Sequence, residues 1–189
     1  MDGDRTMNPE ECTLYSGAAP GTEAAFGAAA ERHGVTEVNY TFRGHDDHRT
    51  RGLKVLSETD LMVGDVNLAY VSKLMNRQFT DTTILRNVLR CIWHQVNSGQ
   101  EIFVIGWIQP DGTVRGGTGW GAEFAKLCNK QLYVFDQDDA AWFYWADGQF
   151  SRCAHPPVIT KPSFTGTGTR FIDARGTQAV DALFERSFG

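Results

Sequence analysis

Two glycine-rich segments contain the residues of this chain that are best suited to bind or transform a small molecule. They are residues 16–23 (SGAAPGTE) and residues 116–123 (GGTGWGAE). Glycine has no Cβ, so such loops can take positive φ angles and let a ligand approach the backbone. A helix-compatible stretch accompanies each loop, and the unpaired N–H groups of a helix start favour phosphate or carboxylate. The pair of segments predicts a site for an anionic small molecule.

Side chains in and beside these segments add donors for such a ligand. Arg115 is suited to a bidentate phosphate contact, and the hydroxyl groups of Ser16 and Thr118 can also donate to phosphate. Trp120 can stack on a base or fill the core. We predict ligand or phosphate contacts from Ser16, Gly17, Ala18, Gly21, Glu23, Arg115, Gly116, Gly117, Thr118, Gly119 and Trp120.

Motifs of other nucleotide-binding and hydrolytic proteins are absent from the sequence. There is no GxxxxGK[ST] segment for a P-loop and no GxGxxG after the first predicted strand. There is also no GxSxG nucleophile elbow. We therefore expect no bound cofactor, and any chemistry must use other groups.

The glycine segments follow predicted strands of an alternating α/β chain. Residues 12–16 predict a strand, 22–33 an alanine-rich helix and 37–42 a second strand. Ser57 begins a capping box before a helical region of about residues 58–76. The remaining predicted elements are a helix at 82–97, a strand at 101–108, a helix at 119–129, a strand at 131–135, a hairpin of 141–145 with 149–151, a strand at 169–172 and a helix at 177–188.

This order of elements predicts a Rossmann-like fold. Strands that alternate with helices form mainly parallel sheets with helices on both faces. We predict one three-layer α/β/α domain over residues 11–189, after a flexible tail of residues 1–10. Because ligands of such sheets bind at the carboxyl ends of the strands, the two glycine loops are expected to face one crevice.

A charged loop follows the second predicted strand. Residues 43–51 (RGHDDHRTR) include two histidines and two aspartates, which are residue types that bind metals. They lack the i, i+4 spacing of a helical metal site, so a solvated loop is the favoured interpretation. We predict no metal site, and we predict that His45, Arg49 and Arg51 form a lid over the ligand.

Composition narrows the classes of partner. The chain has 189 residues, 41% of them hydrophobic, and a formal net charge of −5. This balance argues against an extended nucleic-acid-binding face. No apolar run approaches the roughly 20 residues of a membrane span, and the first residues lack the apolar core of a signal peptide. Four scattered cysteines without metal-ligand spacing indicate reduced thiols, so we expect a cytoplasmic protein.

The second glycine segment resembles the GGxGTxxE signature of the lysine-decarboxylase-like (LOG) family, whose members are nucleotide phosphoribohydrolases. Ser16, Gly17, Ala18 and Gly21 resemble the first glycine loop of the wider SLOG superfamily. Together with residues 132–136 (LYVFD), the two loops are most similar to the putative molybdenum-carrier branch. The resemblance covers roughly residues 12–140.

The resemblance implies a role for Glu123 and an assembly state. Glu123 would lie near the sugar of a nucleotide and help to cleave its N-glycosidic bond, and the protein would form a homodimer or a higher homo-oligomer. The chain departs from the LOG signature at Arg115, where the family has proline, and at Trp120, where it has threonine. The phosphate-binding role therefore transfers more directly than the catalytic one.

Two functions remain open at the level of the sequence. One is hydrolysis of the N-glycosidic bond of a nucleotide or nucleotide-derived metabolite. The other is a sensor or carrier that holds such a ligand without turnover. A third function, binding of single-stranded DNA, is disfavoured by the acidic balance of charge.

Overall fold

An eight-stranded sheet forms the centre of the molecule. The computed structural model describes residues 7–79 and 82–189. The sheet order is β3-β2-β1-β8-β4-β5-β6-β7, in which β6 pairs antiparallel with both β5 and β7 and all other pairs are parallel. The strands are β1 Thr13–Gly17, β2 Thr36–Thr41, β3 Leu53–Val55, β4 Glu101–Gly106, β5 Gln131–Asp136, β6 Ala141–Ala146, β7 Gln149–Arg152 and β8 Ser163–Gly168.

Helices cover both faces of this sheet. They are α1 Thr22–His33, α2 Glu58–Met62, α3 Asp65–Leu74, α4 Thr83–Ser98, α5 Thr118–Leu127 and α6 Ala174–Phe188. Alternation along the central strand β4 separates two cores: Phe103 and Ile105 pack with residues of α1 and α6, whereas Ile102 and Val104 pack with residues of α3, α4 and α5. The predicted three-layer α/β/α fold with a mainly parallel sheet is confirmed.

The topology creates a switch point at the middle of the sheet. From β1 the chain moves outward through β2 and β3, and from β4 it moves the other way through β5. Strand β8 fills the gap and pairs with both β1 and β4. The loops after β1 and β4 therefore leave the sheet in a region where α/β proteins bind ligands.

The position of this central strand was predicted wrongly. The sequence indicated a strand at residues 169–172, but those residues are irregular and the strand is β8, Ser163–Gly168. Small residues are required there because helices approach closely. A Cβ on Gly166 would collide with the ring of Phe26 from α1, and the Thr165 hydroxyl donates to the carbonyl of Gln95 in α4 at 2.6 Å.

The N-terminal tail is described from Met7 onward. Met7 packs against the core beside α1 and α6, and Pro9–Glu11 form a turn of 3-10 helix capped by the Asn8 side chain. Residues 7–10 are thus part of the folded domain, whereas the rest of the predicted tail lies outside the described residues. In the described part of the chain, no helix has the length and apolarity needed to cross a membrane.

Candidate functional site

A cavity of about 730 Å³ opens at the carboxyl ends of the central strands. Its walls come from the loops that follow β1, β2, β4 and β8, together with one face of α4. The lining residues are Ala19, Pro20, Glu23, Gly44, His45, Asp46, Ile84, Val88, Ile92, Trp107, Arg115, Gly116, Gly117, Thr118, Gly168, Thr169, Arg170 and Phe171. Both glycine loops therefore contribute to one cavity.

Most of the first glycine loop is buried and does not line the cavity. Ser16, Gly17 and Ala18 are buried, and the Ser16 hydroxyl donates to the carbonyl of Gly166 at 2.5 Å. Ser16 therefore ties β1 to β8. Gly21 has a φ angle of 92° and lies against the backbone of Arg170, where a side chain would collide. The cavity-facing residues of the loop are Ala19, Pro20 and Glu23.

Glu23 is the carboxylate of the first loop that lines the cavity. Only 7% of the residue is exposed. Its Oε1 accepts from Gln95 Nε2 at 2.9 Å and from the Thr167 hydroxyl at 3.4 Å, and its Oε2 accepts from the Ala19 N–H at 3.1 Å. Burial raises the pKa of Glu23 because it penalises the charged form, and these three donors together with His45 oppose the shift.

Gln95 is the closest side-chain partner of Glu23 and is only 1% exposed. Its Oε1 is buried and has no hydrogen-bond partner among the described residues. A buried amide oxygen without a donor is costly. Rotation of the amide by about 180° would present this oxygen to a protonated Glu23, since amide orientation follows the hydrogen-bond network. The pair can therefore hold Glu23 in either protonation state.

The second glycine loop leads into the N-terminus of α5. Gly116 has a φ angle of 71°, and with Gly117 and Thr118 it lines the cavity. No side chain caps the start of this helix. The N–H groups of Gly119 and Trp120 donate to the carbonyls of Gly116 and Gly117, so the N–H groups of Gly117 and Thr118 are the ones that face an anion here. Arg115 also lines the cavity, and its guanidinium carbon lies 5.5 Å from the centre of the Trp107 ring. The predicted phosphate contacts of Arg115, Gly116, Gly117 and Thr118 thus lie on one wall.

Arg77, which the sequence analysis did not select, holds this loop in shape. Its Nη1 donates to the carbonyls of Val114 at 2.9 Å and Gly116 at 3.2 Å, and its Nη2 donates to Thr113 Oγ1 at 2.8 Å and Gln109 Oε1 at 2.5 Å. These contacts join residues 32 to 39 positions apart in sequence. No local pattern in the sequence indicates such a clamp.

Gly119 and Trp120 belong to the support of the loop rather than to the cavity surface. A Cβ on Gly119 would lie closer than 3.0 Å to the carbonyl of Val114 and to Arg77 Nη1. Glycine at this position lets the guanidinium of Arg77 reach the loop. Trp120 is 8% exposed, packs in the core between α5 and α4, and has the Arg77 guanidinium 5.8 Å from its ring.

Glu123 lies away from the cavity. Its carboxylate accepts from Lys126 Nζ at 3.0 Å. Lys126 in turn donates to the carbonyl of Gly112 at 2.7 Å and lies 3.8 Å from the centre of the Trp145 ring in β6. Glu123 therefore faces the β6–β7 hairpin, and it is not among the residues that line the cavity. The geometry gives the catalytic role implied for Glu123 no support.

The charged loop after β2 contributes His45 to the cavity but holds its arginines elsewhere. His45 Nδ1 lies 2.7 Å from Asp47 Oδ1. Arg49 donates to Glu37 at 2.9 Å and to Glu31 at 2.9 Å, and Arg51 lies within 3.6 Å of the same two carboxylates. The two arginines of the predicted lid therefore pair with Glu31 and Glu37 and do not line the cavity.

Two further walls of the cavity were not predicted as ligand contacts. Arg170 and Phe171 follow β8, and the Phe171 side chain is 73% exposed at the cavity. The other wall is apolar and is formed by Ile84, Val88 and Ile92 of α4. The helical spacing of these α4 residues indicated a core face, so the sequence carried no signal that part of that face borders a cavity.

The cavity is lined by charged groups of both signs. Among the described residues that line it, Arg115 and Arg170 carry positive charge, Glu23 and Asp46 have carboxyl groups, and His45 adds an imidazole. Within residues 7–79 and 82–189, no group of three or more His, Cys, Asp or Glu side chains is arranged to hold a metal ion. The arrangement suits an organic ligand with a phosphate at one end.

Comparisons with known proteins leave the family unassigned. No family model, curated protein sequence or solved structure matches the chain. The similarity of the two glycine loops to the SLOG superfamily therefore stays a prediction. What the structure establishes is an α/β fold that brings both glycine loops to one cavity beside a buried carboxyl group.

Proposed function

We propose that the cavity binds a nucleotide or a nucleotide-derived phosphorylated ligand. The observation that carries this proposal is the convergence of both glycine loops on one cavity that also contains Glu23. Its volume of about 730 Å³ lies within the range of small-molecule sites, roughly 300–1,000 Å³. Free thiols at all four cysteines fit a cytoplasmic protein, which we propose as well.

The cavity has a polar end and an apolar side that match the parts of a nucleotide. The phosphate would lie at the start of α5, against the N–H groups of Gly117 and Thr118 and the Arg115 guanidinium. The base would lie against the apolar wall of α4, with the exposed ring of Phe171 available for stacking. Glu23 lines the cavity at the first loop and would meet the sugar between them.

Glu23 has the properties of a general acid for cleavage of an N-glycosidic bond. Because burial raises the pKa of Glu23, a protonated carboxyl group persists to higher pH than in an exposed glutamate. In this step the bond between the base nitrogen and C1′ breaks, and Glu23 gives its proton to that nitrogen. Water forms the new bond at C1′ and releases a proton that returns to Glu23. The products are the free base and the sugar phosphate.

The second candidate function is a sensor or carrier that holds the ligand without turnover. It is favoured by the position of Glu123, since the glutamate to which the resemblance assigns catalysis faces the β6–β7 hairpin instead of the cavity. The two functions share the same binding site and differ only in the role of Glu23.

The test is to incubate the protein with nucleoside 5′-monophosphates and dinucleotides and to measure released base by chromatography. Release of a base, with the matching sugar phosphate in equal amount, supports hydrolysis. Thermal stabilisation by a nucleotide without any release supports the carrier, because a ligand that binds only the native state raises its stability. If no nucleotide either stabilises the protein or is hydrolysed, both functions are rejected.

We expect Arg77→Lys to weaken binding of the phosphorylated ligand about tenfold, since one ammonium group cannot replace the fork of donors that holds Gln109, Thr113, Val114 and Gly116. The measurement is a calorimetric titration, with Arg32→Lys as a control because Arg32 is exposed and pairs with Asp181. Added guanidinium ions should restore affinity to Arg77→Ala. Unchanged affinity in Arg77→Lys would contradict the clamp.

A further inference from the structure

A second cavity, of about 510 Å³, lies between α6, the β6–β7 hairpin and the segment that follows β7. It shares no lining residue with the cavity described above. Phe135 and Trp142, both 5% exposed, contribute aromatic surface to it. None of the residues in the two glycine loops reaches it, so it is a separate site on the molecule.

One face of α6 forms a wall of this cavity and has cations at both of its ends. Arg175, Gln178, Ala179, Ala182 and Arg186 line the cavity and follow the spacing i, i+3, i+4, i+7 and i+11, which is a single helical stripe. At a rise of 1.5 Å per residue, the two arginines are about 16 Å apart along the helix axis. The alanines between them leave open space along the wall.

Arginines from two separate elements line this cavity. Arg152 of β7 joins Arg175 and Arg186, and neither aspartate nor glutamate is among the described residues that line the cavity. This concentration of positive charge occurs in a chain of formal net charge −5. A concave surface lined by one sign of charge attracts ligands of the opposite sign.

The present partners of these guanidinium groups leave donors for a ligand. Arg175 pairs with Asp173 at 3.0 Å, outside the lining of the cavity, and the pair is exposed to solvent. Arg186 donates to the carbonyl of Pro157 through Nη2 at 3.2 Å and through Nε at 3.4 Å, which leaves Nη1 to a ligand. Desolvation of the partly buried guanidinium lowers the pKa of Arg186, and an oxyanion in the cavity would oppose this shift.

We propose that this second cavity binds a small organic polyanion through Arg152 and Arg186. Guanidinium groups pair with phosphate and carboxylate in the same bidentate geometry, so both kinds of oxyanion fit. The aromatic surface of Trp142 would receive the carbon skeleton of the ligand. This site is independent of the nucleotide cavity and of Glu23.

The test uses pyrophosphate and citrate as phosphate and carboxylate probes. Both are titrated into the Arg115→Gln variant, in which we expect weaker anion binding in the first cavity, and binding is followed by the NMR signals of the arginine Nε–H groups. We expect saturable binding of at least one probe, with shifts of the Arg152 and Arg186 signals. Preference for pyrophosphate or for citrate identifies the oxyanion that the site takes.

Variants distinguish a defined binding site from nonspecific electrostatic attraction. Arg152→Gln and Arg186→Gln should each lower the affinity about tenfold or more, because each removes a charge-assisted contact. Arg32→Gln, which removes one exposed positive charge outside this cavity, should leave it unchanged. Arg152 is exposed on the edge strand β7. Arg152→Gln should therefore fold, and it tests the site even if Arg186→Gln does not fold.

Two results would overturn the proposal. One is the absence of saturable binding of either probe to the Arg115→Gln protein. The other is an equal loss of affinity in Arg32→Gln, which would reduce the effect to net charge. Neither result bears on nucleotide hydrolysis, and a failure of the nucleotide assays leaves the binding of these probes intact.

Discussion

Glu23→Gln is expected to lower the rate of base release from a nucleotide by about 10²–10⁴-fold, the usual contribution of a general acid. Glutamine keeps the shape of the side chain and can still pair with Gln95 and Thr167, but it has no proton of suitable acidity to give. Affinity for the nucleotide should change little, since the phosphate contacts lie on the other wall. Steady-state kinetics and a binding titration measure the two effects separately.

Glu123→Gln is the matched control for this variant. It makes the same chemical change on α5, where the carboxylate pairs with Lys126 outside the cavity. The control should hydrolyse nucleotides at nearly the wild-type rate. If Glu123→Gln instead abolishes hydrolysis and Glu23→Gln does not, the assignment of the acid to Glu23 is wrong and the resemblance to the LOG signature identified the residue correctly.

The raised pKa of Glu23 has a consequence for stability that Glu23→Gln should remove. The native state holds the Glu23 proton more tightly than the unfolded chain, whose glutamate has a pKa near 4.5. This tighter binding of the proton adds to the free energy of unfolding. The contribution is fully present below the unfolded-state pKa and is lost as pH rises through the raised pKa of the native state. Urea unfolding at a series of pH values should show a smaller decline in Glu23→Gln than in the wild type, and equal declines would contradict the buried neutral carboxyl group.

Gly17→Ala is expected to have the second largest effect, because it displaces the Glu23–Gln95 pair. A Cβ at this position would lie closer than 3.0 Å to Glu23 Oε2 and 2.6 Å from Gln95 Nε2. Both side chains are buried, so neither can move without breaking hydrogen bonds. We expect a loss of about 1–3 kcal/mol in the free energy of unfolding and loss of base release.

Gly117→Ala provides the control for that substitution. The nearest atom to its added Cβ is Leu89 Cδ2 at 3.5 Å, an ordinary contact. Denaturant unfolding should therefore show Gly117→Ala close to the wild type and Gly17→Ala clearly destabilised. Similar stabilities for the two variants would show that the side chains of Glu23 and Gln95 can move away from the added methyl group at no cost, which would contradict the prediction.

The convergence of the two glycine loops could be predicted because it follows from local rules. Each loop follows a strand and leads into a helix, and parallel strands place such loops on the same edge of a sheet. The structure has β1 followed by α1 and β4 followed by α5, on either side of β8. The identity of β8 could not be predicted, since its Gly166 and Thr165 are selected by the close approach of Phe26 and Gln95 and not by hydrophobic alternation.

The selection of Glu123 over Glu23 came from the resemblance to the LOG signature, and the burial of Glu23 beside the cavity could not be read from the sequence. Glu23 is the second residue of α1, so its carboxylate remains at the end of the helix that faces the cavity. Glu123 is the sixth residue of α5, about 7.5 Å further along the axis than the first residue. The helices predicted at 22–33 and 119–129 match α1 and α5 to within two residues, so the position of each glutamate along its helix, rather than the helix boundaries, decides which carboxylate reaches the cavity.

The most direct test of the central claim is a pair of calorimetric titrations with adenosine 5′-monophosphate and adenosine. If the wall formed by Arg115 and the start of α5 binds phosphate, the monophosphate should bind roughly 10–100-fold more tightly than the nucleoside. Arg115→Gln should remove most of that difference. Equal affinities for the two compounds in the wild type, or a preference for phosphate that Arg115→Gln leaves unchanged, would contradict the proposed site.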